Sequence, residues 1–164
     1  MFNEHYVRYC DVIAETMNKA FVREPDAESA LRCPACHGRG TEGAAAAAAH
    51  HLAESDRAHL AAEVWFCGNA DCDVVYFDIF EQMVTVERLP EPVWPWSSTA
   101  PVCACFGLTL EDIIADAEDP EPLRIRALLQ QSRSAEADCR TLAVSGQCCM
   151  TEVQKQYLRL RQGR

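Results

Sequence analysis

No stretch of the 164 residues runs apolar for the length of a membrane span, and the N-terminus, MFNEHYVRYCDVIAETMNKAF, is interrupted by acids where a signal peptide would be hydrophobic. Neither export nor membrane insertion is expected, and the chain reads as cytoplasmic. Positive charge is also scarce. Fifteen Lys and Arg stand against twenty-five Asp and Glu, and the resulting net charge of -10 repels nucleic-acid phosphates and anionic lipid alike. Nucleic acid is therefore not an expected partner. Signatures of catalysis are missing too: there is no Ser/His/Asp order, phosphate-binding glycine loop or HExxH, and the five histidines offer no general base. The chain is not read as an enzyme.

What the chain has in excess is cysteine, ten in all. Disulfides need an oxidising compartment, whereas thiols in a reducing one remain available as metal ligands. Without an export signal, metal is the expected use. Phe2, Tyr6, Tyr9, Ile13, Met17 and Phe21 recur at helical steps and predict an amphipathic helix within an N-terminal extension, residues 1–28. Cys10 shares that stripe and reads as a small buried hydrophobe.

A zinc-binding module is expected over 29–98. Cys33 and Cys36 form a CxxC turn, and Cys67 and Cys72 close a second short turn about thirty residues later. Four soft ligands from two chelating loops suit tetrahedral zinc, and with every position taken by protein the ion would be structural. His37, His50 and His51 read as solvated surface histidines. The segments EVWFC, CDVVYFDIF and MVTVERL are rich in β-branched and aromatic residues and predict two or three short strands. The alanine-rich run after Gly43 reads as a short helix or an insertion. PEPVWPWSSTAP reads as a linker or a packed irregular crossing, with Trp94 and Trp96 as packing residues between modules.

A helical module is expected over 99–164. Thr109 and Asp112 have capping-box spacing ahead of Leu110, Ile113, Ile114 and Ala117. A second helix follows Pro122 with Leu123, Ala127 and Leu128, and a third carries Met150, Val153, Tyr157 and Leu160. Cys103 and Cys105 form CxC, and Cys139, Cys148 and Cys149 follow. Four of these five thiolates suit a [2Fe-2S] cluster, and a second zinc is the competing reading that spacing leaves open. Both cysteine pairs precede predicted helix N-termini, where backbone N–H groups favour negative charge. Gly107 and Gly146 are expected to let the backbone approach the sulfurs.

Taken in order, CPACHGRG, FCGNADCDVVYF, VCACFGLTLEDI and SGQCC resemble the N-terminal domain of CopZ-type copper chaperones, a family of iron-sulfur cluster-binding metallochaperones. The CxC portion also resembles the helical [2Fe-2S] domain of bacterioferritin-associated ferredoxins. The resemblance implies zinc at Cys33, Cys36, Cys67 and Cys72, and a [2Fe-2S] cluster at Cys103, Cys105, Cys139 and Cys149, with Cys148 the runner-up for the fourth position. Cys10 and Cys148 are left over. It also implies an α+β fold: a treble-clef-like zinc hairpin packed on a small helical [2Fe-2S] module, with the N-terminal helix to one side. The implied function is electron transfer in handling copper or another soft metal, and the alternative is a ferredoxin-like adaptor that docks on a redox partner without binding copper. Two departures stand out. Ala143 and Val144 occupy positions where family members carry Asn-Pro, and these residues hold no counterpart of the family's second, heavy-metal-binding domain. That domain, a metal transporter and a redox partner are the expected partners.

Overall fold

The computed structural model describes residues 31–163. The predicted N-terminal helix and Cys10 lie outside the described residues. Among the described residues the fold is mixed α+β, with one four-stranded antiparallel sheet and six α-helices. The strands are β1 (Gly40–Thr41), β2 (Trp65–Cys67), β3 (Val74–Phe77) and β4 (Met83–Thr85), paired in that order. The helices α1 (Ala45–His51) and α2 (Glu54–Arg57) fill the connection from β1 to β2. No helix among the described residues is long and apolar enough to cross a membrane.

β1 is not among the strands expected from the sequence, because two residues with a glycine give no alternating pattern. Its existence depends on pairing: Gly40 lies opposite Cys67 and Thr41 opposite Phe66. That register draws the first cysteine loop onto the strand carrying the second. Glycine is required here, since a Cβ at position 40 would meet the Phe77 ring at 2.5 Å and the Leu31 carbonyl oxygen at 2.9 Å. All four residues of β3 are buried. Val74 and Phe77 pack with the upstream cysteines, while Val75 and Tyr76 join Phe66, Val84 and Ala48 in a second core.

The downstream half is helical: α3 (Leu110–Glu118), α4 (Leu123–Gln131), the single turn α5 (Cys139–Leu142) and α6 (Met150–Gln162). The expected capping box opens α3, with the Asp112 N–H donating to Thr109 Oγ1 at 3.2 Å and the Thr109 N–H to Asp112 Oδ2 at 3.0 Å. Helix faces differ in detail from the periodicity. Ile113 and Ala117 are buried as expected, but Ile114 is partly exposed and Asp116 is turned inward. Asp116 accepts the Ile125 N–H at 2.7 Å and pairs with Arg124 at 3.1 Å, so a side chain of α3 serves the unpaired N-terminus of α4, which Pro122 cannot cap. Ile125 and Leu128 carry the buried face of α4, and Leu123 is 63% exposed.

The two halves share backbone-level contacts. α1 packs against α5, and the buried Tyr76 hydroxyl donates to the Val144 carbonyl at 2.8 Å. His51, expected as a surface histidine, is half-buried with Nε2 3.0 Å from the Leu142 carbonyl oxygen, and burial lowers its pKa. Trp94 packs on the helical core and Trp96 on Phe66 of the sheet, centroids 5.9 Å apart, so the crossing does join the two cores. Gly146 has φ +67, and a Cβ there would lie 3.0 Å from the Gly43 carbonyl oxygen. Its place is at this seam rather than beside sulfur.

Gly146→Ala should therefore destabilise the protein by about 1–3 kcal/mol through strain and overpacking. Tyr76→Phe should cost about 1–2 kcal/mol by leaving the Val144 carbonyl unpaired. Urea denaturation checks both, and an unchanged midpoint in either variant would contradict the seam described.

Candidate metal centres

The upstream centre begins with a tight hairpin. Arg32 bridges Arg39, the Gly40 N–H donates to the Leu31 carbonyl at 2.8 Å, and the Cys33 N–H donates to the Gly38 carbonyl at 2.8 Å. His37, exposed and with φ +57, takes the left-handed turn that reverses the chain after Cys36. In the second loop the Cys72 N–H donates to the Asn69 carbonyl at 3.0 Å, while the Asn69 side chain accepts the Asp71 N–H at 3.1 Å. Cys67 leaves the end of β2, and Cys72 lies two residues before β3.

These two loops bring Cys33, Cys36, Cys67 and Cys72 together, with all four sulfurs within 4.8 Å of one another. Cys33 and Cys72 sulfurs are 4.0 Å apart, and those of Cys36 and Cys67 are 3.6 Å apart. A tetrahedron with Zn–S bonds of ~2.3 Å places its sulfurs ~3.8 Å from each other, so the observed spacing fits zinc. Backbone N–H groups two residues on, from Gly38, Asn69 and Val74, donate to the sulfurs of Cys36, Cys67 and Cys72. The Gly38 contact, helped by the Asn69 side chain against an opposing burial effect, draws the Cys36 thiol down to about 7. Burial pushes Cys67 and Cys72 up. Asn69 escaped the sequence reading, although Asn in a turn between two cysteines was a usable signal.

The downstream centre is assembled from three places. Cys103 and Cys105 lie in a loop closed by the Cys103 N–H donating to the Leu108 carbonyl at 3.1 Å, with Gly107 at φ +69 turning the chain. Cys139 starts α5, and Cys149 is the N-cap of α6. Their sulfurs contact one another in ring order. Cys149 lies 2.7 Å from Cys103, Cys105 lies 3.5 Å from Cys139, and Cys103 and Cys139 also reach Cys105 and Cys149 respectively. Cys148, also buried, touches Cys139. Backbone N–H groups of Phe106, Asp138 and Cys149 donate to Cys103, Cys105 and Cys139. These donors, not Gly107 or Gly146, bring backbone to sulfur.

Hydrogen bonds from the Cys105 and Cys149 thiols lower Cys103 to about 4, and bonds from Cys105, Cys148 and Cys149 push Cys139 well below the ordinary thiol range. Donating those bonds raises Cys105 and Cys149, with burial adding to the effect. Among the described residues, the upstream four are the one group whose ligand atoms all lie within reach of a single ion.

Fold and site together define a cysteine-thiolate metal-binding protein. Residues 30–90 match the zf_CopZ family model, a zinc binding domain. The fold is similar to that of the Archaeoglobus fulgidus CopZ N-terminal domain, with a TM-score of 0.64 and 22% identity, over 76% of this chain and 96% of that one. That coverage extends beyond the zinc-binding segment into the helical half. Among curated proteins, none matches this chain.

Zinc must displace the protons that burial holds on Cys67 and Cys72. Their raised pKa values mean the metal-free form keeps these protons at neutral pH, so zinc affinity should rise steeply from about pH 6 to about pH 8. Competition with a chromophoric chelator measures this, and a pH-independent affinity would contradict the assignment.

Proposed function

We propose that this protein is a metal-binding electron carrier in which zinc fixes the β-rich half and a [2Fe-2S] cluster, held by Cys103, Cys105, Cys139 and Cys149, serves the handling of copper or another soft metal. The observation that carries this reading is the gathering of these sulfurs in the helical core, with Cys149 in contact with both Cys103 and Cys139 and Cys148 also against Cys139. Four thiolates are the usual ligand set of such a cluster. The cluster is preferred to a second tetrahedral zinc on the ordered CxC and SGQCC motifs, and on the downstream sulfurs not forming a quartet as mutually close as the upstream one.

Electron transfer in single units is the chemistry the cluster supplies when bound. The protein's own groups hold and shield it. Cys103, Cys139 and Cys149 are buried, the N-terminus of α6 stands directly behind Cys149, and backbone N–H groups face three of the sulfurs. Such donors offset the negative charge of thiolate ligands. The copper part of the reading draws on the ordered motifs resembling CopZ-type chaperones and on the similarity to the CopZ N-terminal domain. Cys148, against Cys139 and lining a groove with His50, Glu91 and Trp94, is the soft thiol suited to receive Cu(I) in transit. The metal would pass to a separate heavy-metal-binding domain or a transporter, in a reducing compartment and without enzymatic turnover by this chain.

The adaptor alternative would use the acidic run from Glu111 to Glu121 as its docking surface. Two of its acids are committed internally, Asp112 to the capping box and Asp116 to Arg124 and the Ile125 N–H, which weakens that reading.

Protein purified without oxygen should show visible charge-transfer absorbance, and one-electron reduction should yield an electron paramagnetic resonance signal. Cys139→Ala should abolish both. Cys148→Ser should keep the cluster and weaken Cu(I) binding at least tenfold; unchanged Cu(I) affinity would remove the copper role, and a colourless wild type would remove the cluster.

A further inference from the structure

Among the described residues, two buried polar side-chain atoms have no hydrogen-bond partner, and both are indole nitrogens, those of Trp65 and Trp94. A buried N–H without an acceptor forfeits its hydration with nothing in return, so native proteins rarely leave one. Each orphan packs on a core that contains cysteines. Trp65 packs on the core holding Cys33, Cys67 and Cys72, and Trp94 packs on the core holding Cys103, Cys139, Cys148 and Cys149. The third tryptophan, Trp96, has its partner, donating to the carbonyl of Cys72 at 2.7 Å. That bond pins the Trp94-Pro95-Trp96 crossing to the upstream loop and so fixes where the Trp94 ring stands.

The two orphans differ in what a filled centre would offer them. A tetrahedral zinc site adds a cation and no new acceptor. A [2Fe-2S] centre adds two inorganic sulfides, acceptors that the protein atoms around Trp94 do not supply. Trp94 also lines the groove that reaches Cys148 and Cys149, the side of the core on which the proposed ligand Cys149 lies.

We infer that the Trp94 indole N–H is a hydrogen-bond donor to the sulfur of the [2Fe-2S] centre, and that it sets the centre's reduction potential. The inference rests on the cluster reading above. A neutral donor aimed at sulfur stabilises the more negatively charged reduced state, so its presence raises the potential. Trp94 is thus a tuning residue, with no ligand role of its own.

The test compares Trp94→Phe with the wild type and with Trp65→Phe, each as the full chain purified without oxygen. Trp94→Phe should retain iron and sulfide at the wild-type ratio, titrate at a more negative potential, and lose part of the deuterium-sensitive Fe–S bands in resonance Raman spectra. Trp65→Phe should leave potential and bands where they are. An unchanged potential together with unchanged isotope sensitivity in iron-loaded Trp94→Phe overturns the inference while leaving the cluster reading intact. Iron missing from the wild type sinks the cluster reading, and the inference with it. Should Trp94→Phe fail to hold iron, indole-¹⁵N labelling of the unmutated protein decides the matter: one of its three indole N–H signals should carry a hyperfine shift, and three unshifted signals would refute the contact.

Discussion

The convergence of sulfur from separated loops is the constraint on which this fold depends. The strands are two to four residues long, too short for the sheet to be stable by pairing alone. A zinc ion joining the Cys33–Cys36 hairpin to the Cys67–Cys72 turn ties both ends of the β1–β2 pairing at once, since Gly40 lies opposite Cys67. Metal binding then contributes directly to folding, as small metal-stabilised modules require. The buried thiols make sense in that light. Desolvation penalises them as thiolates, and a bound cation removes that penalty.

The helical half is organised around sulfur in a different way. One-turn α5 and the N-terminus of α6 each present a cysteine at their first turn or cap, and the loop before α3 presents two more. These elements are positioned by contacts with the β-rich half: α1 against α5, Tyr76 on Val144, and His51 on Leu142. The Trp94-Pro95-Trp96 crossing belongs to both cores. At one end Trp96 donates to the Cys72 carbonyl, and at the other Trp94 packs on the helical core. A change at one centre therefore has a covalent and hydrogen-bonded path of a few residues to the other.

Much of this was legible in sequence because it is local. The capping box at Thr109, the strands around Val74 and Met83, the helix carrying Met150 and Val153, and the pairing of two close cysteine turns all follow from spacing within a short window. What escaped was set by tertiary contact. β1 exists only because β2 lies beside it. Asp116 faces inward because the next helix starts without a cap, which inverts the periodicity expected of α3. His51 looked like surface within a run of alanines until α5 supplied its acceptor. Gly146 was assigned to sulfur, whereas its missing Cβ makes room for the backbone at Gly43. The downstream set was half legible: five candidate cysteines could be named from spacing, the motifs resembling CopZ-type chaperones favoured Cys149 over Cys148 for the fourth place, and both are buried against Cys139.

The central claim is that one chain holds two different thiolate centres at once. Native mass spectrometry of the intact, anaerobically purified protein tests it most directly. The account predicts a single species heavier than the metal-free chain by one zinc, two irons and two sulfides, each chain carrying both centres. A species carrying two zinc ions and no iron would contradict it.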